Sequence, residues 1–290
     1  MRCHDYLQLD VFAARPGQGN PLGVVADGRA FDDAAMQAFA AWTNLSETIF
    51  LLPPTHGDAD YRVRIFTPRS ELPFAGHPSV GAAWAACELG LVDAARTALV
   101  QECAAGRLPV RIETRGGARI AHVRAPDARP LQPANAGALL ARATHGWALG
   151  GLAPALWDNG PRWWLVELAD AAAVRTLAPD LPAIAALTHA TGAVGLAVHA
   201  EEACDTHQRV VRAFCPGDNV PEDPVTGSAH AAIAACLHAA GRLPAGASRH
   251  VGSQGRELGR DGRVEVGIDA DGGVWIGGAV QCAIRGTLRW

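Results

Sequence analysis

Phe66-Thr67-Pro68, Phe74-Ala75-Gly76-His77-Pro78-Ser79-Val80-Gly81 and Ala82-Ala83-Trp84-Ala85-Ala86-Cys87 have a second version later in the chain. It runs Phe214-Cys215-Pro216, then Glu222-Asp223-Pro224-Val225-Thr226-Gly227-Ser228-Ala229-His230, then Ala231-Ala232-Ile233-Ala234-Ala235-Cys236. Phe66 and Phe214 are 148 residues apart (214 − 66), Cys87 and Cys236 are 149 apart (236 − 87), and half of the 290-residue chain is 145. The spacing predicts a duplicated domain with one helix entry per half and a site where the halves meet.

Working outward, each half reads as short strands around one apolar helix. Tyr61–Phe66 alternates apolar and polar side chains, as a half-buried strand does. Pro78 suits the first turn of a helix that ends near Gly90. Its interior is apolar or small on every side, so it is expected to be buried all round. Gln208–Phe214 and Ser228–Ala240 are the counterparts in the second half. Further strands are expected at Tyr6–Phe12, Leu22–Ala26, Glu47–Leu52, Ala98–Cys103, Pro109–Glu113, Arg119–Val123, Trp163–Leu168, Val194–His199, Arg263–Ile268, Val274–Ile276 and Gln281–Leu288. Asp32 or Asp33 should cap a helix to about Trp42, with Met36, Phe39 and Ala40 on one face. Ala171–Leu177 should be a short helix. Pro126–Ala134 reads as a linker. Parallel βαβ alternation is not evident. The expectation is an α+β fold of two pseudo-symmetric halves, each a curled, mostly antiparallel, barrel-like sheet around a central apolar helix. The halves would be 1–126 and 127–279, with 280–290 returning to the first.

Composition excludes several classes. Hydrophobic residues make up 49% and charged residues 19%, which supplies two ordinary cores and argues against disorder. A net charge of −4 with scattered arginines gives no nucleic-acid stripe and no attraction to anionic membrane. All 25 basic residues are Arg, so no lysine Schiff base and no lysine-dependent P-loop can form. Seven Cys without CxxC spacing, and an N-terminus (Met1-Arg2-Cys3-His4-Asp5-Tyr6) without a signal-peptide core, point to a reducing cytoplasm. No apolar stretch approaches the ~20 residues that span a bilayer.

The helix entries carry the chemistry. A helix start exposes N–H groups and partial positive charge, and Gly or Pro there lets a small anion approach. His77 either shuttles a proton or caps its own turn. Asp223, beside Glu222, is a poised carboxylate, a cap, or part of a solvated turn. Ser228 is a ligand contact or a structural cap. Glu47, between a polar turn and an apolar strand, is an acid–base candidate if buried and otherwise an exposed strand start. A two-base thiol racemase on this plan would need a cysteine at each entry, but Cys87 and Cys236 lie well inside their helices and Cys215 is a weak outlier. The eleven His show no HExxH or HxH pattern, so no metal site is expected.

These residues resemble the phenazine-biosynthesis PhzF-like family, related in fold to diaminopimelate epimerase. The matches are Gly19-Asn20-Pro21, Ser46-Glu47-Thr48, Ala75-Gly76-His77-Pro78, the nine residues Glu222–His230, and Ser253-Gln254-Gly255 with Gly259-Arg260. They fall in family order over nearly the whole chain. Cys215 departs from the small residue expected there. The resemblance implies a cleft between two similar halves, a homodimer and no cofactor. It puts general acid/base chemistry on Glu47, companion polar roles on His77, Asp223 and Ser228, and substrate contacts at Asn20, Gly76, Gly227 and Ser228. The implied reaction is a single-glutamate proton shift on a small carboxylated, amine-bearing molecule, like that of trans-2,3-dihydro-3-hydroxyanthranilate isomerase. The alternatives are a racemase or epimerase pairing Glu47 with a second acid/base such as Asp223 or His77, and a binding protein without turnover.

Overall fold

The computed structural model describes residues 3–218, 220–243 and 249–290, so Met1, Arg2 and Asn219 lie outside the described residues. The chain divides into two units, Met1–Arg124 with Ile276–Trp290, and Ala125–Trp275. The first unit runs β1 (Cys3–Val11), β2 (Asn20–Val25), α1 (Asp33–Thr43), β3 (Glu47–Leu52), β4 (Tyr61–Phe66), β5 (Glu71–Leu72), α2 (Gly76–Glu88), β6 (Ala98–Cys103), β7 (Gly106–Arg115) and β8 (Ala118–Arg124). The second runs β9 (Arg129–Leu131), α3 (Gly137–Ala143), β10 (Ala155–Asp158), β11 (Arg162–Glu167), α4 (Ala171–Arg175), α5 (Leu181–Thr191), β12 (Gly195–Cys204), β13 (His207–Cys215), β14 (Val220–Asp223), α6 (Gly227–Ala239), β15 (Arg249–Gln254) and β16 (Gly262–Ile268). Then β17 (Val274–Arg289) follows, with Ile276 onward in the first unit.

In the first unit, β1, β2, β3, β4, β6, β7, β8 and β17 pair in that order, and β17 pairs again with β1, closing an eight-stranded barrel. The largely apolar α2 packs against β1, β2, β3, β4 and β8, and eleven of its thirteen residues are buried. Its sequence has no polar face to offer solvent, so the barrel interior is where it is stable. Gly81 allows the fit: a Cβ there would stand 2.3 Å from Leu22 Cδ2. The opposite face of the wall is used too. Val25, Phe50 and Phe66 cluster with Met36, Phe39 and Ala40 of α1, whose N-cap is Asp32. The two-residue strand period then turns Ile49 and Leu51 toward α2.

The second unit repeats the pairing scheme. In the first unit β2–β3 is parallel, β3–β4 antiparallel, β4–β6 parallel and β6–β7 antiparallel. In the second, β11–β12 is parallel, β12–β13 antiparallel, β13–β15 parallel and β15–β16 antiparallel. One helix or helix pair bridges each parallel pair, and α2 and α6 hold the same place in the scheme. Alternation sorts the second core into two layers. Trp164, Val166, Leu196, Val198, Val210 and Phe214 pack on the side of α3, α4 and α5. Trp163, Leu165, Ala197, Val211 and Ala213 pack with Ala229, Ala232 and Ile233 of α6.

Two expectations change. Pro126–Ala134 contains β9, which pairs with β10, so it is sheet edge as well as connection. Among the described residues the mostly antiparallel sheet carries four parallel pairings, which went unread because side-chain alternation is blind to strand direction. Helix α5 was also missed, although Asp180 caps it and Gly192 ends it with φ +62. Among the described residues no helix is long and apolar enough to cross a membrane.

Candidate active site

Three of the quoted motifs converge at one end of the barrel. Strands β2 and β3 are parallel with Leu22 opposite Glu47, so Asn20-Pro21 and Ser46-Glu47 lie at neighbouring strand starts. The loop into β2 is shaped by Asp10, whose Oδ2 accepts the N–H groups of Gly17, Gln18 and Gly19 at 2.7, 2.9 and 3.0 Å. Gly19 is required by close approach, since a Cβ there would stand 2.1 Å from the Val11 carbonyl oxygen. Asn20 is fully buried, and its Oδ1 accepts from the Ser46 hydroxyl at 2.9 Å. That bond fixes the residue before Glu47. The sequence reading had no signal for Asp10, a lone carboxylate in a strand.

His77 joins them from the start of α2. Its Nε2 lies 3.3 Å from Glu47 Oε2, with the two side chains 5% and 16% exposed. Glu47 is therefore largely buried, not an exposed strand start. The ring donates to the Pro21 carbonyl, so His77 does not cap its own turn. Because Nε2 has no hydrogen-bond partner, the donor to Pro21 is Nδ1, and Nε2 carries the lone pair in the neutral ring. Burial pushes the imidazole pKa down to about 3, against the raising effect of the Pro21 bond. The close carboxyl works in the same direction as Pro21, but the ring is fully desolvated and we take it as neutral at physiological pH. The contact with Glu47 is then an acceptor nitrogen facing a carboxyl group, not an ion pair.

The second entry is built by other residues to the same plan. Asp223 ends β14 opposite Ala213, and its Oδ2 accepts from the Thr226 hydroxyl. Gln254, fully buried on β15, satisfies the turn. Its Oε1 accepts from Thr226 N–H at 2.9 Å and His230 Nε2 at 3.1 Å, and its Nε2 donates to Thr226 Oγ1 and the Asp223 carbonyl at 2.9 Å each. The Thr226 N–H can only donate, so the amide orientation is fixed. Gly252 lets the His230 ring lie against the strand, where a Cβ would stand 2.2 Å from Cε1. The first unit has a smaller version: buried Gln101 on β6 donates to Ser79 Oγ at 3.0 Å. Both glutamines lie on the strand that follows the helix.

Neither α2 nor α6 has a side-chain cap hydrogen bond at its N-terminus. Ser228 is not a cap: its hydroxyl accepts from Trp163 Nε1 at 3.1 Å, and Asn159 Nδ2 donates to its carbonyl at 2.9 Å. Glu222 is not solvated either. It takes Arg212 in a two-point pair at 2.9 and 2.8 Å, and Arg212 also donates to the Leu177 carbonyl at 2.7 Å. Cys215 is a core residue packed with Trp163 and Ala197. Cys87 is buried in α2, and burial raises its thiol pKa. The structure thus brings Asn20, Glu47, Gly76 and His77 together in the first unit, and Asp223, Gly227 and Ser228 together in the second. The residues missed are Asp10, Trp163, Asn159 and the Pro21 carbonyl. Thr226 and Gln254 stood inside quoted motifs without a role.

Comparison with known proteins points one way. A sequence profile described as phenazine biosynthesis-like protein matches residues 9–283. Trans-2,3-dihydro-3-hydroxyanthranilate isomerase of Pseudomonas aeruginosa is 35% identical over 266 residues, covering 90% of this chain and 89% of the relative. Antisense-enhancing sequence 1 of Schizosaccharomyces pombe is 32% identical over 292 residues, 98% of each chain. The solved structure of a predicted epimerase from Pseudomonas aeruginosa superposes with a TM-score of 0.81 at 32% identity, covering 99% of both chains. The chain belongs to the phenazine biosynthesis-like PhzF family and is an isomerase-class enzyme.

Proposed function

We propose that the protein isomerises a small carboxylated, amine-bearing molecule by a proton shift that Glu47 alone carries, without a cofactor. One observation carries this reading: a largely buried carboxyl group faces, at 3.3 Å, the lone-pair nitrogen of a neutral imidazole at a helix start with no side-chain cap. Glu47 takes a proton from one carbon and returns it to another on the same face. Once it holds the proton, its O–H has His77 Nε2 as an acceptor, which steadies the protonated carboxyl until the proton is returned. The N–H groups of Gly76 and His77 suit the substrate carboxylate, since Pro78 contributes none. Asp223, Gly227 and Ser228 are assigned to the substrate's amine and carboxylate, with the Thr226–Gln254 bonds holding Asp223. Asn20 supports Glu47 through Ser46. Trans-2,3-dihydro-3-hydroxyanthranilate is the first substrate to try, because a relative of 35% identity carries that name. The family resemblance supports a homodimer, and seven free thiols suit a reducing cytoplasm.

A racemase or epimerase is the second reading, favoured by the likeness to a predicted epimerase. Turnover in deuterated water separates the two. A proton shift moves a hydrogen between carbons and places label at the accepting carbon only as far as Glu47 exchanges with solvent. Label at a single carbon with inverted configuration would replace the isomerase reading with the epimerase one.

A further inference from the structure

A cluster outside the residues assigned above has the geometry of an activated thiol. It lies at the end of the β12–β13 hairpin, where Cys204 pairs with His207 across the turn. Cys204 is exposed, and its Sγ is 3.0 Å from His207 Nδ1. The His207 ring is buried, and its Nε2 lies 2.6 Å from Glu202 Oε2. Glu202 is held in turn by Arg175, whose Nη2 donates to the same oxygen at 2.8 Å, while Arg175 Nη1 reaches Glu257 Oε1 at 3.3 Å. The carboxylate takes the Nε2–H, which leaves Nδ1 as the acceptor facing sulfur. The Thr206 hydroxyl lies 3.0 Å from that nitrogen and 3.4 Å from Sγ, within reach of the thiolate that results. Nucleophile, base and orienting carboxylate stand in sequence, the arrangement that activates a thiol.

We propose that Cys204 is a nucleophilic thiol, activated by His207 and Glu202, whose co-reactant is a small hydroperoxide. The bond to Thr206 and the backbone N–H groups of Thr206 and His207 lower the thiol pKa, against the raising effects of burial and of the Glu202 charge, whereas burial raises it at Cys87, Cys103 and Cys236. In the reaction, His207 Nδ1 accepts the thiol proton. The thiolate attacks the terminal, hydrogen-bearing oxygen of the peroxide, the S–O bond forms and the O–O bond breaks. The departing alkoxide or hydroxide takes the proton from His207 and leaves as alcohol or water. Sulfur loses two electrons and the peroxide gains them, giving a sulfenic acid on Cys204.

The test needs no isomerase substrate. The full-length protein is treated at pH 7 with substoichiometric hydrogen peroxide, sulfenic acid is trapped with dimedone, and labelled peptides are quantified by mass spectrometry. Cys204 should be labelled at least about tenfold more than Cys3, the other exposed cysteine. His207→Asn should cut Cys204 labelling by about tenfold, and Glu202→Gln should lower it by a smaller factor while leaving the buried ring in place. Equal labelling of Cys204 and Cys3 overturns the proposal. So does undiminished labelling in Glu202→Gln, whatever the folding of His207→Asn.

Discussion

Glu47 and His77 are adjacent because three chain segments fix them independently. Asp10 shapes the turn before Asn20, Asn20 takes the Ser46 hydroxyl, and the Pro21 carbonyl takes the His77 ring. A ring so held behaves unlike a solvent-exposed histidine. Since burial puts its pKa at about 3, the His77 imidazole resonance should not move between pH 5 and 8 in an NMR titration. A midpoint near 6.5 would show that the ring is solvated. At this scale the sequence was partly legible. Glu47, His77, Asp223 and Ser228 were named through the family pattern, because side-chain chemistry is written in residue type. Spacing alone favoured a structural or solvated role for each of them. What they touch was not legible: the Pro21 carbonyl and the Trp163 indole are partners that only the folded chain brings near.

The two glutamines on the strands after the helices show how an element holds a site. Gln254 is fully buried and makes four hydrogen bonds, so removing the amide leaves the Thr226 N–H and His230 unsatisfied. Gln254→Leu should cost about 1–3 kcal/mol of stability in urea unfolding. Gly252→Ala drives a methyl group into the His230 ring and should cost about 1–3 kcal/mol by overpacking. An unchanged urea midpoint in either variant would mean that the second entry does not depend on this packing. Element by element, α2 and α6 were predicted within two residues of their ends, because an apolar run between Pro or Gly signals is a strong helix mark. The four parallel pairings were not predicted, because a two-residue period fixes which face is buried and carries nothing about direction.

Across the whole molecule, buried neutral histidines set the response to acid. Burial lowers His77 and His230 to about 3 and His250 to about 4, and takes His199 well below its ordinary value. The unfolded chain protonates these rings near 6.5 and the folded one does not, so the unfolded state binds more protons in between. Stability is therefore complete above about pH 6.5 and falls as the pH drops toward 3–4, each ring contributing up to about 1.4 kcal/mol per pH unit. The urea midpoint should be lower at pH 5 than at pH 7.5, and an equal or higher midpoint would contradict this. Light scattering should give twice the monomer mass if the protein is the homodimer proposed. The duplication was visible at this scale because the two helix entries repeat in sequence. The curled, barrel-like sheet around an apolar helix was visible too, whereas the number of strands, eight, and the register by which β17 meets β1 some 270 residues away were not. The central claim is that Glu47 alone moves the proton. The most direct measurement is the turnover of Glu47→Gln relative to wild type on trans-2,3-dihydro-3-hydroxyanthranilate, or on whichever small amino or hydroxy carboxylate the wild type converts. A rate lower by about 10²–10⁴-fold with ligand binding retained is the predicted result. A variant that turns over within a few fold of wild type, or a wild type that converts no such carboxylate, would contradict it.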